Sequence, residues 1–174
     1  MRCGRIARGY SVCMDGGFRI VPISRADVDA VFKLQCEFET YLQGLTGKRR
    51  STDMAERNRR FLRDGFGNDP AFKCLIAKRD NDVLGYICYH FGYDPDEMSG
   101  RVVYVIDLFV AENARGFGVG TSLMKSVADI CKKAGGIAVY FCVWKKNEGA
   151  IRFYRSMGAD WVTDVPLMRW PKEI

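Results

Sequence analysis

The 174-residue chain has one histidine and five prolines, and no apolar run approaches the roughly 20 residues that a membrane span needs. A single histidine, His90, leaves little from which to build a zinc centre, so no metal is expected. The cysteines are Cys3, Cys13, Cys36, Cys74, Cys88, Cys131 and Cys142, an odd count with no C-x-x-C pair. Several lie inside strand-like apolar runs. Reduced thiols used as small core residues are expected, in a cytoplasmic protein with no membrane partner. Two further absences concern the glycine-rich stretch at 116–120. No lysine follows it, which excludes a Walker phosphate loop, and no acid closes the strand after it, which argues against a dinucleotide fingerprint.

What is present is an ordinary globular composition, 48% apolar and 28% charged. At this length one domain is expected, able to bury about 70% of its unfolded surface. Residues 1–17 read as a mobile N-terminal extension and residues 18–174 as the single domain. The net charge of +6 is uneven, with basic residues gathered between Leu45 and Arg63 and acidic ones between Gly92 and Glu112. No nucleic-acid motif accompanies the basic run, so it reads as a solvated helix face and nucleic acid is not an expected partner.

Periodicity orders the elements. Phe18–Ile23 reads as a strand, with Ser24 as a helix-cap candidate. Asp27–Gln43 and Ser51–Phe66 read as helices. Runs 72–77 and 83–89 flank Asp80-Asn81-Asp82 as a hairpin. An acidic loop at 92–100 precedes strand Val102–Val110. A helix then runs to about Lys133, Gly135-Gly136 ends it, and Ile137–Val143 is a strand. A short helix covers Gly149–Met157, and one or two strands lie within Trp161–Trp170. Strands around a β-α-β-α centre indicate a mixed α/β sheet.

The most informative stretch is Asp107-Leu-Phe-Val-Ala-Glu-Asn-Ala-Arg115-Gly-Phe-Gly-Val-Gly-Thr121. A strand enters a turn with Gly116, Gly118 and Gly120 at alternate positions, and an amphipathic helix starts at once. Glycines let the backbone curl with its N–H groups exposed, and the helix adds free N–H groups and the positive end of its dipole. Together they make a phosphate site.

Arg115-Gly-x-Gly-x-Gly after Leu-Phe-Val resembles the pyrophosphate loop of the GNAT superfamily of N-acetyltransferases. Downstream, Asn147-x-x-Ala-x-x-Phe153-Tyr154-x-x-x-Gly158-Ala159 resembles that family's closing signature. The resemblance covers roughly residues 18 to 165. It implies the GNAT acyl-CoA N-acyltransferase fold, a central mixed and mostly antiparallel sheet flanked by helices. It also implies acetyl-CoA as cosubstrate. The amides of Gly116, Phe117, Gly118, Val119, Gly120 and Thr121 would hold the pyrophosphate, with Arg115 adding charge. The edge Leu108, Phe109, Val110 would pair with pantetheine like an added strand. An N–H near Phe109 would polarise the thioester carbonyl. Tyr154 would protonate the departing thiolate, and Asn147 would hydrogen-bond the cofactor arm, its other role being a helix cap.

A primary amine acceptor is mostly cationic at neutral pH, so its proton must be removed before attack. Asp107 is the best-placed acid, two residues before Phe109 and on the same strand face. Tyr104–Val110 looks like the diamine and polyamine branch, Y-x-E-D-F-F-V, but Ile106 stands in place of the glutamate. Asp94, Asp96 and Glu97 could draw a cationic amine, but they read first as a solvated loop. His90 as base and Cys142 as acyl carrier are weaker candidates. The expected acceptor is a small-molecule amine such as a polyamine, amino acid or aminoglycoside. A peptide lysine or N-terminus, and a non-catalytic acyl-CoA-binding module, are the alternatives. A homodimer is left open.

Overall fold

Sheet order follows chain order, strand by strand. The computed structural model describes residues 12–14, 17–48, 53–95 and 99–162. The strands are β1 (Val12–Met14), β2 (Phe18–Pro22), β3 (Lys73–Arg79), β4 (Asp82–Asp94), β5 (Gly100–Val110) and β6 (Ala138–Phe141). All neighbours pair antiparallel except β5 and β6, which are parallel. A parallel pair needs a crossover, and helix α3 (Val119–Lys133) supplies it. The other helices are α1 (Val28–Thr46), α2 (Met54–Gly65) and α4 (Glu148–Ser156). The chain divides into two compact units after Cys142, and the second carries α4.

Local signals explain most boundaries. Asp53 caps α2, its carboxylate accepting from the N–H groups of Ala55 and Glu56 at 2.9 and 3.2 Å. Ser24 sets a 3-10 turn at Arg25–Asp27, and Asp27 Oδ2 accepts from both the N–H and the hydroxyl of Ser24. Asp27 also meets Lys78 Nζ at 2.5 Å. Burial works against its charge, but these partners hold the carboxyl below the usual aspartate range. The β3–β4 hairpin turns at Asp80, which sits at φ 50°.

Two cores sandwich the sheet. Val28, Val31 and Leu34 of α1 and Phe61 of α2 meet Cys74, Ile76, Tyr86, Cys88 and Phe109. On the opposite face lie Leu75 and Ile87, and α3 buries Val119, Leu123, Met124, Val127 and Cys131. Covered on both sides, β3 and β4 read as continuous apolar runs.

The structure corrects three boundaries. Val12–Met14 pair with Phe18–Ile20, so the sheet begins inside the segment read as a mobile extension over 1–17; residues 1–11 lie outside the described residues. The acidic loop is shorter than 92–100, because β4 runs to Asp94. Asp94 is buried and accepts from the Tyr140 hydroxyl, so it is no solvated loop acid. Asp96 and Glu97 fall outside the described residues, as do Arg49 and Arg50 of the basic run. Trp161 and Val162 are exposed and form no strand; the rest of the expected C-terminal strands lies outside as well.

Candidate active site

Backbone orientation along β5 follows from one hydrogen bond. Ala111 N donates to Leu84 O at 2.9 Å, so these opposed residues face each other. In an antiparallel ladder the facing alternates, and Tyr86 and Phe109 form the next bonded pair. Leu108 and Val110 therefore turn their N–H and C=O groups away from β4. Arg115 Nε, which donates to Val110 O at 3.1 Å, agrees with that direction. On this outer side β6 pairs only with Val102–Val105. Beyond Val105 no strand among the described residues covers β5. Among the described residues no strand therefore pairs with Leu108–Val110, while the N–H of Phe109 is turned to β4. The outward donors near it belong to Leu108 and Val110. Gly85, opposite Val110, permits this close pairing, since a Cβ there would lie 2.7 Å from Phe109 O.

The open edge leads into the glycine turn. Gly116 and Gly118 adopt φ of 82° and 79°, a region that costs other residues about 1–2 kcal/mol. Gly118 is the N-cap of α3 and has no side chain to satisfy the first turn. Val119, Gly120 and Thr121 consequently present N–H groups without intrahelical acceptors. The Val119 side chain is buried in the core, so this residue offers the site its backbone alone. Phe117 is 64% exposed on the turn. Arg115, expected beside the phosphates, lies over the rings of Tyr41 and Phe109, each centroid 5.4 Å from its Cζ. A flat, weakly hydrated guanidinium favours such faces. Here it ties the turn to β5.

Asp107 stands at an irregularity. The register steps from Cys88↔Asp107 to Tyr89↔Val105, so Ile106 is an extra, bulged residue, 55% exposed. The Asp107 side chain is only 14% exposed. The Tyr86 hydroxyl donates to its Oδ2 at 2.9 Å, and Arg57 Nη2 approaches the same oxygen at 3.6 Å. Arg57 also grips Glu39 through Nη1. Burial, then the charge of Asp107, raises the Tyr86 hydroxyl well above its ordinary range, so it remains a neutral donor.

A cavity of about 210 Å³ opens beside Asp107. Its walls are Gln35 of α1, Arg57, Arg60, Phe61 and Asp64 of α2, and Phe72, Cys88 and Ile106. Cys88 stays a thiol, raised first by its hydrogen bond with Cys74 and then by burial.

Arg57, Glu39, Tyr86 and Gln35 were not singled out in the sequence. Arg57 was counted only within the basic run, and the others lay inside helix and strand patterns that specify burial. His90 stacks on Tyr104 with its Nδ1 3.1 Å from Phe91 O, and Cys142 is exposed. In the second unit, Asn147 Oδ1 accepts from Ala150 N at 3.1 Å, so it caps α4. Tyr154 is half-buried on that helix, its ring 5.2 Å from that of Phe153. Among the described residues no group of three or more His, Cys, Asp or Glu is arranged to hold a metal ion. No described helix is long and apolar enough to cross a membrane.

Residues 29–159 match the family model described as "Acetyltransferase (GNAT) family". Thialysine N-epsilon-acetyltransferase of Mus musculus is 34% identical over 109 residues, covering 58% of this chain and 63% of the relative. Spermidine/spermine N(1)-acetyltransferase-like protein 1 of Homo sapiens is 33% identical over 105 residues, 56% of this chain and 15% of that protein. The match thus spans less than two thirds of either relative. An integron cassette protein from the mobile metagenome of V. cholerae shares the fold, with TM-score 0.75 and 23% identity over 90% of this chain and 94% of that one.

Proposed function

Because this chain belongs to the GNAT family of acetyltransferases, we propose that it transfers an acetyl group from acetyl-CoA to a primary amine of a small molecule. The observation that carries the reading is the open edge of β5 running directly into the Gly116–Gly118 turn. A pyrophosphate needs clustered backbone donors, and the first turn of α3 offers them. The amide-bearing arm of coenzyme A needs strand-like partners, and Leu108 and Val110 present theirs outward. The residues therefore fit the cosubstrate, whose thioester supplies the activated acetyl group.

The rest belongs to the protein. An outward N–H of Leu108 or Val110 is aligned to receive charge that develops on the acyl oxygen. Asp107 draws the ammonium form of the acceptor and takes its proton, directly or through water. Arg57 and Tyr86 orient the carboxylate through an ion pair and a hydrogen bond. Tyr154 is assigned the return of a proton to the departing sulfur, on the strength of its match to the closing motif. In cells the reading is of a cytoplasmic enzyme. The mouse thialysine N-epsilon-acetyltransferase and the human spermidine/spermine N(1)-acetyltransferase-like protein 1 support small amines over peptides.

The test is mass-spectrometric detection of acetylated product from acetyl-CoA and a panel of polyamines, amino acids, aminoglycosides and lysine peptides. One acetylated small amine supports the reading, and product on peptides alone replaces it with protein acetylation. Binding of acetyl-CoA without any product, and a Tyr154→Phe variant that binds as wild type, would indicate a binding module.

A further inference from the structure

Resting on that reading, we propose that Glu39 of α1 is a positioning residue for the reaction. It holds the Arg57 guanidinium off Asp107 and supplies the negative charge that draws the acceptor's ammonium group to that carboxylate. Arg57 spans the two acids with its planar fork. Its Nη1 is hydrogen-bonded to Glu39 Oε1, whereas its Nη2 stops 3.6 Å from Asp107 Oδ2. The first contact is a full hydrogen bond, and the second exceeds the length of one. Arg57 is therefore committed to Glu39 and only leans on Asp107. The hydrogen bond to Asp107 Oδ2 comes instead from the neutral Tyr86 hydroxyl.

Formal charge gives the reason. Two carboxylates share one guanidinium, so the cluster of Glu39, Arg57 and Asp107 keeps a single negative charge. The three side chains are 14%, 28% and 14% exposed, a setting in which charges act on one another more strongly than in water. Arg60 and Asp64, which line the outer cavity, add no net charge, and each is paired along α2, with Glu56 and Arg63. Without Glu39, one guanidinium would face one carboxylate. Nη2 would close on Asp107 in the forked geometry that arginine favours, and the protein's own cation would take the place of the acceptor's. The fold puts Glu39 where this is possible. It stands one helical turn beyond Gln35, which is buried and lines the cavity, so one side of α1 carries both.

The experiment is steady-state kinetics of the full chain at saturating acetyl-CoA, with spermidine, lysine and kanamycin as acceptor probes. For the probe that is acetylated, Glu39→Gln should raise the acceptor KM about tenfold and leave kcat within about twofold, because an internal competitor weakens acceptor binding alone. Adding Arg57→Gln to Glu39→Gln removes the competitor and restores the single negative charge, so KM should return to within about threefold of wild type. Glu39→Asp, which keeps the charge, should match that recovery. Glu37→Gln, exposed on α1, should change nothing. Calorimetric binding of acetyl-CoA shows which variants are folded; if Glu39→Gln is not, the double variant carries the test. An unchanged KM in Glu39→Gln, or a double variant still about tenfold above wild type, overturns the inference and leaves acetyl transfer standing. So does a loss of kcat and stability without a change in KM, which marks a mere clamp between α1 and α2. No product from any probe with the wild-type protein overturns the inference together with the reading beneath it.

Discussion

At its C-terminal end β5 turns backbone groups outward, whereas at Asp107 it gathers side chains. The first region consists of the outward groups of Leu108 and Val110, the turn at Gly116 and Gly118, and the first N–H groups of α3, all within one short stretch of chain. The second is assembled from α1, α2, β4 and β5, with Glu39, Arg57, Tyr86 and Asp107 meeting across long sequence separations. A backbone site tolerates many side chains but demands particular φ angles. A side-chain site tolerates backbone variation but fails when one charge is removed. The two regions should therefore respond to different substitutions and under different conditions.

The largest effect is expected where the regions share a residue. Phe109 packs on Phe38 at 5.3 Å and lies beneath Arg115, so Phe109→Ala should cost about 3–5 kcal/mol in urea unfolding. A loss below about 1 kcal/mol would show that the regions are not joined through this ring. Next, Asp107→Asn should lower kcat/KM by about 10²-fold or more, with acetyl-CoA binding unchanged in calorimetry. If cosubstrate binding fell in parallel, the separation would be lost. Gly118→Val should act the other way. Strain of about 1–2 kcal/mol at φ 79° should weaken acetyl-CoA roughly tenfold and leave the acceptor KM nearly unmoved.

The smallest effect sharpens the contrast by pH. Tyr86→Phe removes one donor from Asp107 and should cost about 1 kcal/mol. The folded Tyr86 hydroxyl titrates well above its ordinary value, so its contribution is complete below the unfolded tyrosine range near 10. Stability should fall as pH rises past that range, because only the unfolded chain then loses the proton. Thermal melts at rising alkaline pH should show a shallower decline in Tyr86→Phe. An identical decline would remove Tyr86 from the account.

The same contrast explains what was legible. The glycine turn and α3 were readable because their determinants are neighbours in the chain: spacing, periodicity and a terminating Gly135. The helix α3 has the start and, within a residue, the end that periodicity predicts. The contact of Arg115 with Tyr41 was not legible because that ring comes from α1, far away in the chain. Asp94 was misread because its acidic surroundings concealed a buried bond to Tyr140. Arg57 was overlooked because one arginine among several on α2 has no local mark.

By itself, then, the sequence determined the mixed sheet, the glycine turn that opens α3 and the carboxylate at Asp107. All three depend on conformational preferences and periodicities that act over a few residues. Only the tertiary structure decided which edge of β5 is open, that Ile106 is bulged, and that Arg57 and Tyr86 hold Asp107. Those outcomes depend on strand register and on helix packing. Both are settled by contacts between segments that the chain itself keeps far apart.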